Sequence, residues 1–264
     1  MASGTTDIGF AGSIGHLDSD GWFAPHRVSI VMPALNEAES LCQLLPRIPQ
    51  WVHEVILVDG QSIDDTVAVA HEAWPSIRVI CQNHGACGKG AALRQGFEAA
   101  TGDVIVTLDA DGSTDPAEIP FFVGALLAGA DFAKGTRFGQ GAGSDDLNTL
   151  RRVGNWGLTR LCRVLFHNHF TDLCYGYNSF WSSVLPQLQL DADGFEVEAQ
   201  MTVRAVSSGL RVVEVPSHEA QRDFGASHLH TFRDGWRVLK TIVGEWGSGV
   251  QSHVRRARGR LLSA

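Results

Sequence analysis

Four short apolar runs in a row, each followed by a stretch of helical periodicity, restrict this chain more than any other feature. Val28 to Met32 precedes a helical pattern from Glu37, Glu54 to Val58 one from Asp64, Ile77 to Cys81 one from Lys89, and Val104 to Leu108 one from Pro116. Successive strand–helix units of this length build a mainly parallel, doubly wound α/β sheet with helices on both faces. Helix-start chemistry agrees. Asn36 with Glu39, Ser62 with Asp65 and Asp115 with Glu118 have capping-box spacing, Pro116 suits a first helical position, and Gly102 suits a helix stop.

In such sheets ligands collect beyond the carboxyl ends of the strands. Those ends carry Pro33, Asn36 and Glu37, then Asp59 to Ser62, then Asp109 to Ser113, so the polar chemistry converges on one rim. The stretch VIVTLDADGSTD (Val104 to Asp115) ends in two carboxylates one residue apart. With strand alternation Asp109 and Asp111 project to one side and Ala110 turns away. Two like charges that close call for a cation, and Mg²⁺ or Mn²⁺ takes oxygen ligands and bridges to phosphates. Helix capping accounts for Asp115, Pro116 and Glu118 but gives no reason for Asp109 and Asp111.

Hydrophobic residues make up 44% of the 264, enough for a real core. Five cysteines form no C-x-x-C pair and no zinc spacing, which suits reduced thiols in a cytoplasmic protein. No basic-then-apolar leader opens the chain, and no apolar run reaches the length of a membrane span. Residues 1–26 read as a flexible arm in which Trp22 and Phe23 pin the end, residues 27–230 as the catalytic domain, and residues 231–264 as a C-terminal amphipathic helix with a basic tail. Arg137 to Asn148 reads as a loop, Leu147 to Phe166 as a helix, and Asp131 to Lys134 and Arg211 to Val215 as further strands. Net charge is −8, yet Arg233 to Arg260 holds seven basic residues against two acidic ones. An acidic body with a basic tail argues against nucleic-acid binding and is compatible with a tail that meets an anionic membrane surface. Phe232, Trp236, Leu239, Val243 and Trp246 recur at helical spacing, the stripe of an interfacial helix or of one that packs on its own domain.

With the rim laid out, the chain resembles the family 2 glycosyltransferases of GT-A fold, and within them the polyprenyl (dolichol) phosphate mannose synthase-like group. The resemblance is carried in order by PALNEAESL, EVILVDGQSIDDT, GKGAALRQGFEAATGDVIVTLDADGSTDP, KGTRF, TDLCYGYNSFW and the late QRDFGASHL. It implies a hexosyltransferase that moves mannose or glucose from a GDP-mannose or UDP-glucose type donor to a polyprenyl phosphate, with inversion and with Mg²⁺ or Mn²⁺ as cofactor. Carried over by position, Pro33, Ala34, Asn36 and Glu37 line the nucleotide pocket, and Asp59 with Gln61 bonds base and ribose. Lys89 sits near the nucleotide between Gly88 and Gly90, which let backbone approach a ligand. Asp109, Ala110 and Asp111 hold the ion and diphosphate, and Arg222 and His228 belong to a loop over the donor phosphates. Arg137, Arg151 and Arg152 grip the acceptor phosphate. Asp172, Glu196 and Glu198 are the candidate bases for a hydroxyl acceptor (sugar, small molecule or protein).

Three positions depart from the family pattern. Asp59-Gly60-Gln61-Ser62 stands where Asp-Asp-Gly-Ser is common, His228 where a lysine is usual, and Ser113 and Thr114 where bulkier residues flank the metal. A haloacid dehalogenase-type phosphatase is the rival reading of the Asp-Ala-Asp-Gly run, although that motif belongs on a first strand. Gly85 to Gly90 lacks the spacing of a phosphate-binding P-loop.

Overall fold

The first strand, β1 (Val28–Ala34), divides its side chains between two cores: Val28, Ile30 and Met32 join one, Val31 the other. A strand does this when both faces of its sheet are covered. The computed structural model describes residues 26–83, 85, 88–222, 224 and 230–262, with side chains through Ser248. Trp22, Phe23, Cys87 and His228 lie outside them. After β1 come α1 (Ala38–Leu44), β2 (Glu54–Asp59), α2 (Thr66–Ala73), β3 (Arg78–Cys81), α3 (Lys89–Ala99), β4 (Val104–Thr107), α4 (Ile119–Leu127) and β5 (Phe132–Thr136). The expected alternation is therefore present. Leu41, Leu44, Ala70 and Phe122 cover one sheet face, while Leu93 and Phe97 of α3 cover the other.

The second half adds β6 (Gly143–Ser144), α5 (Thr149–Phe166), β7 (Asn178–Trp181), α6 (Leu185–Leu188), α7 (Val197–Ser207), β8 (Val212–Pro216), β9 (His218–Glu219) and α8 (Thr231–Leu262). Seven strands form one sheet in the order β3-β2-β1-β4-β7-β5-β8. Only β7 runs against its neighbours, antiparallel to β4 and to β5. Its amino end lies beside the carboxyl end of β4, with Asn178 opposite Thr107. The segment leading into β7 thus arrives at the same rim as Asp109 and Asp111. Within the expected loop of residues 137–148, β6 pairs in parallel with β9 and fastens the loop to the end of the sheet.

Local chemistry differs from expectation at three helix starts. Asn36 Oδ1 accepts from Ile63 N at 2.8 Å and Ser62 Oγ accepts from Asn36 N at 2.8 Å, so these residues tie the β1 and β2 loops to each other instead of capping their own helices. Asp115 does cap, accepting from Ala117 N at 2.9 Å. Glu118 does not close the box: it accepts from His218 N at 3.0 Å and from Ser217 Oγ.

In the C-terminal helix the aromatic stripe is not the main packing face. Val238 and Ile242 of α8 are buried with Cys162 of α5 and Val203 of α7, whereas Phe232, Trp236, Val243 and Trp246 are 80%, 58%, 49% and 43% exposed. The aromatic stripe is the helix's outer face. Among the described residues, no helix is long and apolar enough to cross a membrane.

Candidate active site

The carboxyl ends of β1, β2 and β4 open on a cavity of ≈ 270 Å³ whose walls include Pro33, Ala34, Glu37, Gln61, Lys89, Asp109, Ala110, Asp111 and Arg222. Asn36, at φ 58°, does not line it, its side chain being tied to the β2 loop, whereas Gln61, at φ 68°, forms part of its wall at a left-handed turn. Left-handed backbone is uncommon without glycine and tends to be held at functional turns. Asp59 stands behind this turn, its carboxylate accepting from Gln61 N and from Ser62 N, both at 3.2 Å.

Asp109 and Asp111 are each matched by a cation. Lys89 Nζ lies 2.7 Å from Asp109 Oδ1 and 2.6 Å from Glu198 Oε1. Burial opposes its charge, but Asp109 and Glu198 outweigh burial and hold the ammonium above its ordinary pKa. Asp111 Oδ1 accepts from Ser113 N at 3.0 Å and Ser113 Oγ at 2.7 Å, while Arg222 Nη2 lies 2.8 Å from Asp111 Oδ2. Gly88, which lines the first cavity, and Gly90 also admit a close approach of backbone from within the chain. The segment of residues 192–194 presses on the first turn of α3, where Gly90 N donates to Asp193 O at 2.8 Å and a Cβ on Gly88 would sit 2.5 Å from the same oxygen.

The donor set fits a hard divalent ion that keeps open positions. Among the described residues no group of three His, Cys, Asp or Glu side chains forms a closed cage. Asp109 and Asp111 instead offer carboxylate oxygens, as Mg²⁺ sites do when substrate phosphates complete the shell. The local field agrees. Burial, and then the charge of Asp111, push the Glu37 carboxyl up to about 7, against the hydrogen bond from Ser40 and the Arg222 charge. A wall where the Glu37 carboxyl resists ionising favours an added cation.

A second cavity of ≈ 140 Å³ lies between α5 and α8 and shares Lys89, Asp109, Phe195 and Arg222 with the first. Arg137, Arg151, Asn155, Tyr175, Glu198 and Glu219 also line it. The expected acceptor residues are not equivalent here. Arg151 reaches the cavity beside Asp146, whereas Arg152 is exposed and lines neither cavity.

Arg137 is fully engaged. Its Nε donates to Asp172 Oδ2 at 2.7 Å, Nη2 to Asp172 Oδ1 at 3.0 Å and Cys174 O at 2.9 Å, and Nη1 to both Glu219 oxygens at 3.1 Å. Asp172 is wholly buried under that guanidinium and also accepts from Asn155 Nδ2 at 2.9 Å. Burial would raise its pKa, but Arg137 holds the carboxyl below the usual range. Neither of these two fits the part expected of it: Arg137 has no idle donor for a phosphate, and Asp172 cannot reach an acceptor hydroxyl. Glu196 folds back to accept from Gly194 N at 3.2 Å and lines neither cavity. Of the three candidate bases only Glu198 faces the second chamber, and its Oε1 is engaged by Lys89.

The geometry describes two chambers meeting at one cluster of charge. A family model described as glycosyl transferase family 2 matches residues 29–188. The chain belongs to that family. As a family 2 member it is a glycosyltransferase, and the phosphatase reading falls away. A polyprenol monophosphomannose synthase of Mycolicibacterium smegmatis is 32% identical over 255 residues, 88% of this chain and 91% of that one. An undecaprenyl-phosphate mannosyltransferase of Micrococcus luteus is 31% identical, with 88% and 98% covered. The glucosyl-3-phosphoglycerate synthase of Mycobacterium tuberculosis, solved with Mn²⁺, UDP and glucosyl-3-phosphoglycerate, matches with a TM-score of 0.68 at 23% identity over 86% of this chain and 82% of that one. That likeness gives the GT-A fold.

Several lining residues of this family 2 enzyme escaped sequence reasoning. Gln82, at the end of β3, sits on the rim that the sheet topology predicts, so its position was a usable signal. Phe195 and Glu219 carry none, since tertiary folding alone brings them to the site, while Gly176 lies within TDLCYGYNSFW, where the resemblance assigns it no role.

Proposed function

We propose that this glycosyltransferase moves a hexose from a nucleotide diphosphate sugar to a polyprenyl phosphate, with inversion and with a divalent ion held by Asp109 and Asp111. The observation that carries the proposal is the pair of chambers joined at Lys89, Asp109, Phe195 and Arg222, one against the β1–β2–β4 rim and one between α5 and α8. The mannosyltransferase names of the relatives supply the acceptor class. When bound, the ion acts as a Lewis acid on the diphosphate leaving the anomeric carbon.

The chain's own groups do the rest. Asp109 is held by Lys89 and Asp111 by Ser113, so both carboxylates are oriented before substrate arrives. Arg222 stands at the junction of the chambers, where its guanidinium can turn from Asp111 to a diphosphate oxygen. Arg151 offers the second chamber a cation for the acceptor phosphate. A phosphate monoester is largely dianionic near neutrality and needs no strong base. That suits a chamber in which the candidate base that lines it, Glu198, is already occupied by an ammonium. The part of Arg137 is to anchor the chamber wall through Asp172 and Glu219.

The lipid reading draws support from the outer faces of α5 and α8. Leu150, Val153, Trp156 and Val164 on one helix and Phe232, Trp236, Val243 and Trp246 on the other are exposed. Arg160 lies 5.9 Å from the Trp156 ring centroid and Lys240 lies 5.7 Å from that of Trp236. Exposed aromatics interleaved with cations suit the interface of an anionic bilayer, which would put the protein peripherally at a cytoplasmic membrane face. The basic tail at Arg255 to Arg260 belongs to the same expectation, although its side chains lie outside those described.

The test is transfer of label from GDP-mannose or UDP-glucose into an organic-extractable product, with Mn²⁺ and either polyprenyl phosphate or the dephosphorylated polyprenol. Label entering the lipid with the phosphate and not with the alcohol is the expected result. Transfer to the alcohol alone would favour a hydroxyl acceptor with Glu198 as its base.

A further inference from the structure

The end of the donor chamber farthest from the two rim carboxylates holds a side-chain amide whose orientation is fixed by the protein. Gln82 follows β3, is 7% exposed and lines the chamber with Gly60, Gln61 and Leu35. Its Nε2 donates to Gly88 O at 2.9 Å, and its backbone N donates to Asp59 O at 2.8 Å. A flip of the amide would set oxygen against the Gly88 carbonyl, so Nε2 is committed to that bond and Oε1 is the atom left to the chamber. Oε1 lies along the open side of Gly60, 3.6 Å from where a Cβ would stand. No described residue donates to it.

The sheet sets the distance to the charged end. In the order β3-β2-β1-β4, three strand spacings separate the strand that leads to Gln82 from the one that leads to Asp109. At about 4.8 Å per spacing that is roughly 14 Å, about the length of an extended nucleoside diphosphate. With the diphosphate at Asp109 and Asp111, the base falls between Leu35 and Gln61 with its far edge toward Gln82.

We propose that Gln82 is the base-selecting residue: its Oε1 accepts from the ring N–H of a lactam or imide base. The inference rests on the donor reading given above and sharpens it. Guanine, at N1, and uracil, at N3, carry a hydrogen there. Adenine and cytosine carry a lone pair at the same place and would turn acceptor on acceptor. Since Nε2 is held by Gly88, Gln82 cannot rotate to suit them, and a site built around one hydrogen bond rejects analogues that cannot make it.

The experiment measures binding of UDP, GDP, CDP and ADP to the full chain with Mn²⁺, together with N3-methyl-UDP and N1-methyl-GDP. It is repeated with Gln82→Met, and with pyrophosphate as a probe that has no base. Expected for the wild type is UDP or GDP bound at least about tenfold more tightly than CDP and ADP, with a similar loss on ring-N methylation of the preferred nucleotide. In Gln82→Met the methylated and unmethylated forms should bind within about threefold of one another, while pyrophosphate binding is unchanged. Equal binding of methylated and parent nucleotides by the wild type overturns the assignment of Gln82 and leaves the donor reading standing. That measurement does not depend on the variant folding. Failure of every nucleotide to bind, with or without Mn²⁺, overturns the donor reading itself and this inference with it.

Discussion

Arg222 Nη2 lies 2.8 Å from Asp111 Oδ2, so the oxygen that the proposed metal ion would need is covered by a guanidinium from the other half of the chain. A cation arriving at Asp111 has to displace this arginine, and a diphosphate arriving with the cation gives the arginine somewhere to go. Arg222→Gln should therefore bind Mn²⁺ alone more tightly, by roughly tenfold, and bind Mn²⁺–nucleoside diphosphate more weakly by a similar factor. Titration calorimetry with and without nucleotide reads both. Losses of the same sign in the two experiments would contradict the displacement.

Asp111→Asn keeps an acceptor for Ser113 and removes the charge. Metal-dependent binding of the donor should vanish while the thermal midpoint stays within a few degrees of wild type. Unchanged titration heats would count against Asp111 as a ligand.

Gly176 is wedged into the charge cluster. A Cβ there would stand 2.7 Å from Lys89 Nζ and 2.8 Å from both Asp109 Oδ2 and Glu198 Oε1. Gly176→Ala should cost about 1–3 kcal/mol of stability, as overpacking does, and weaken donor binding by parting Lys89 from Asp109. Denaturant unfolding and a nucleotide titration report the two effects separately.

The pair Arg137 and Asp172 gives a pH prediction. Asp172 has a folded pKa below its unfolded value, so its contribution is complete above the unfolded pKa of about 3.9 and is lost as pH falls from there through the lower folded value. The thermal-midpoint gap between wild type and Asp172→Asn should be full at pH 6 and narrow below about pH 4. Arg137→Ala, which strands two carboxylates, should cost about 3–5 kcal/mol at neutral pH. A stable Arg137→Ala with only acceptor use impaired would restore the role in gripping acceptor phosphate that the sequence suggested.

Trp156 and Trp236 are 63% and 58% exposed on neighbouring helices. Replacing both with serine should leave the thermal midpoint unchanged and reduce co-sedimentation with anionic vesicles several-fold, since the lost apolar area faces outward. Equal sedimentation of the double variant would remove α5 and α8 from the membrane contact.

Where the physics is local, the sequence was legible. The alternation of apolar runs with helical periodicity located every strand–helix unit of the first half, although only Asp115 of the expected caps acts as one, and the rule that ligands gather at strand ends brought Glu37, Gln61, Lys89, Asp109 and Asp111 to one cavity. Legibility failed where a partner comes from far along the chain. Nothing near Arg137 in sequence announces that Glu219 will neutralise it, and the short, polar-started Asn178–Trp181 gives little sign of a strand that inserts backwards between β4 and β5. The same limit applies to α8. Its periodicity disclosed the aromatic stripe, and only packing against Cys162 and Val203 shows that Val238 and Ile242, and not that stripe, face inward.

The two chambers draw on different stretches of the polypeptide. Apart from Phe195 and Arg222, the described walls of the first lie between Pro33 and Asp111; apart from Lys89 and Asp109, those of the second lie between Arg137 and Val238. If the first chamber takes the donor and the second the acceptor, as proposed, such a division would let a lineage keep its sugar supply while drifting in what receives the sugar, by exchanging the later segment alone. Four residues at the seam are what any such recombinant has to preserve.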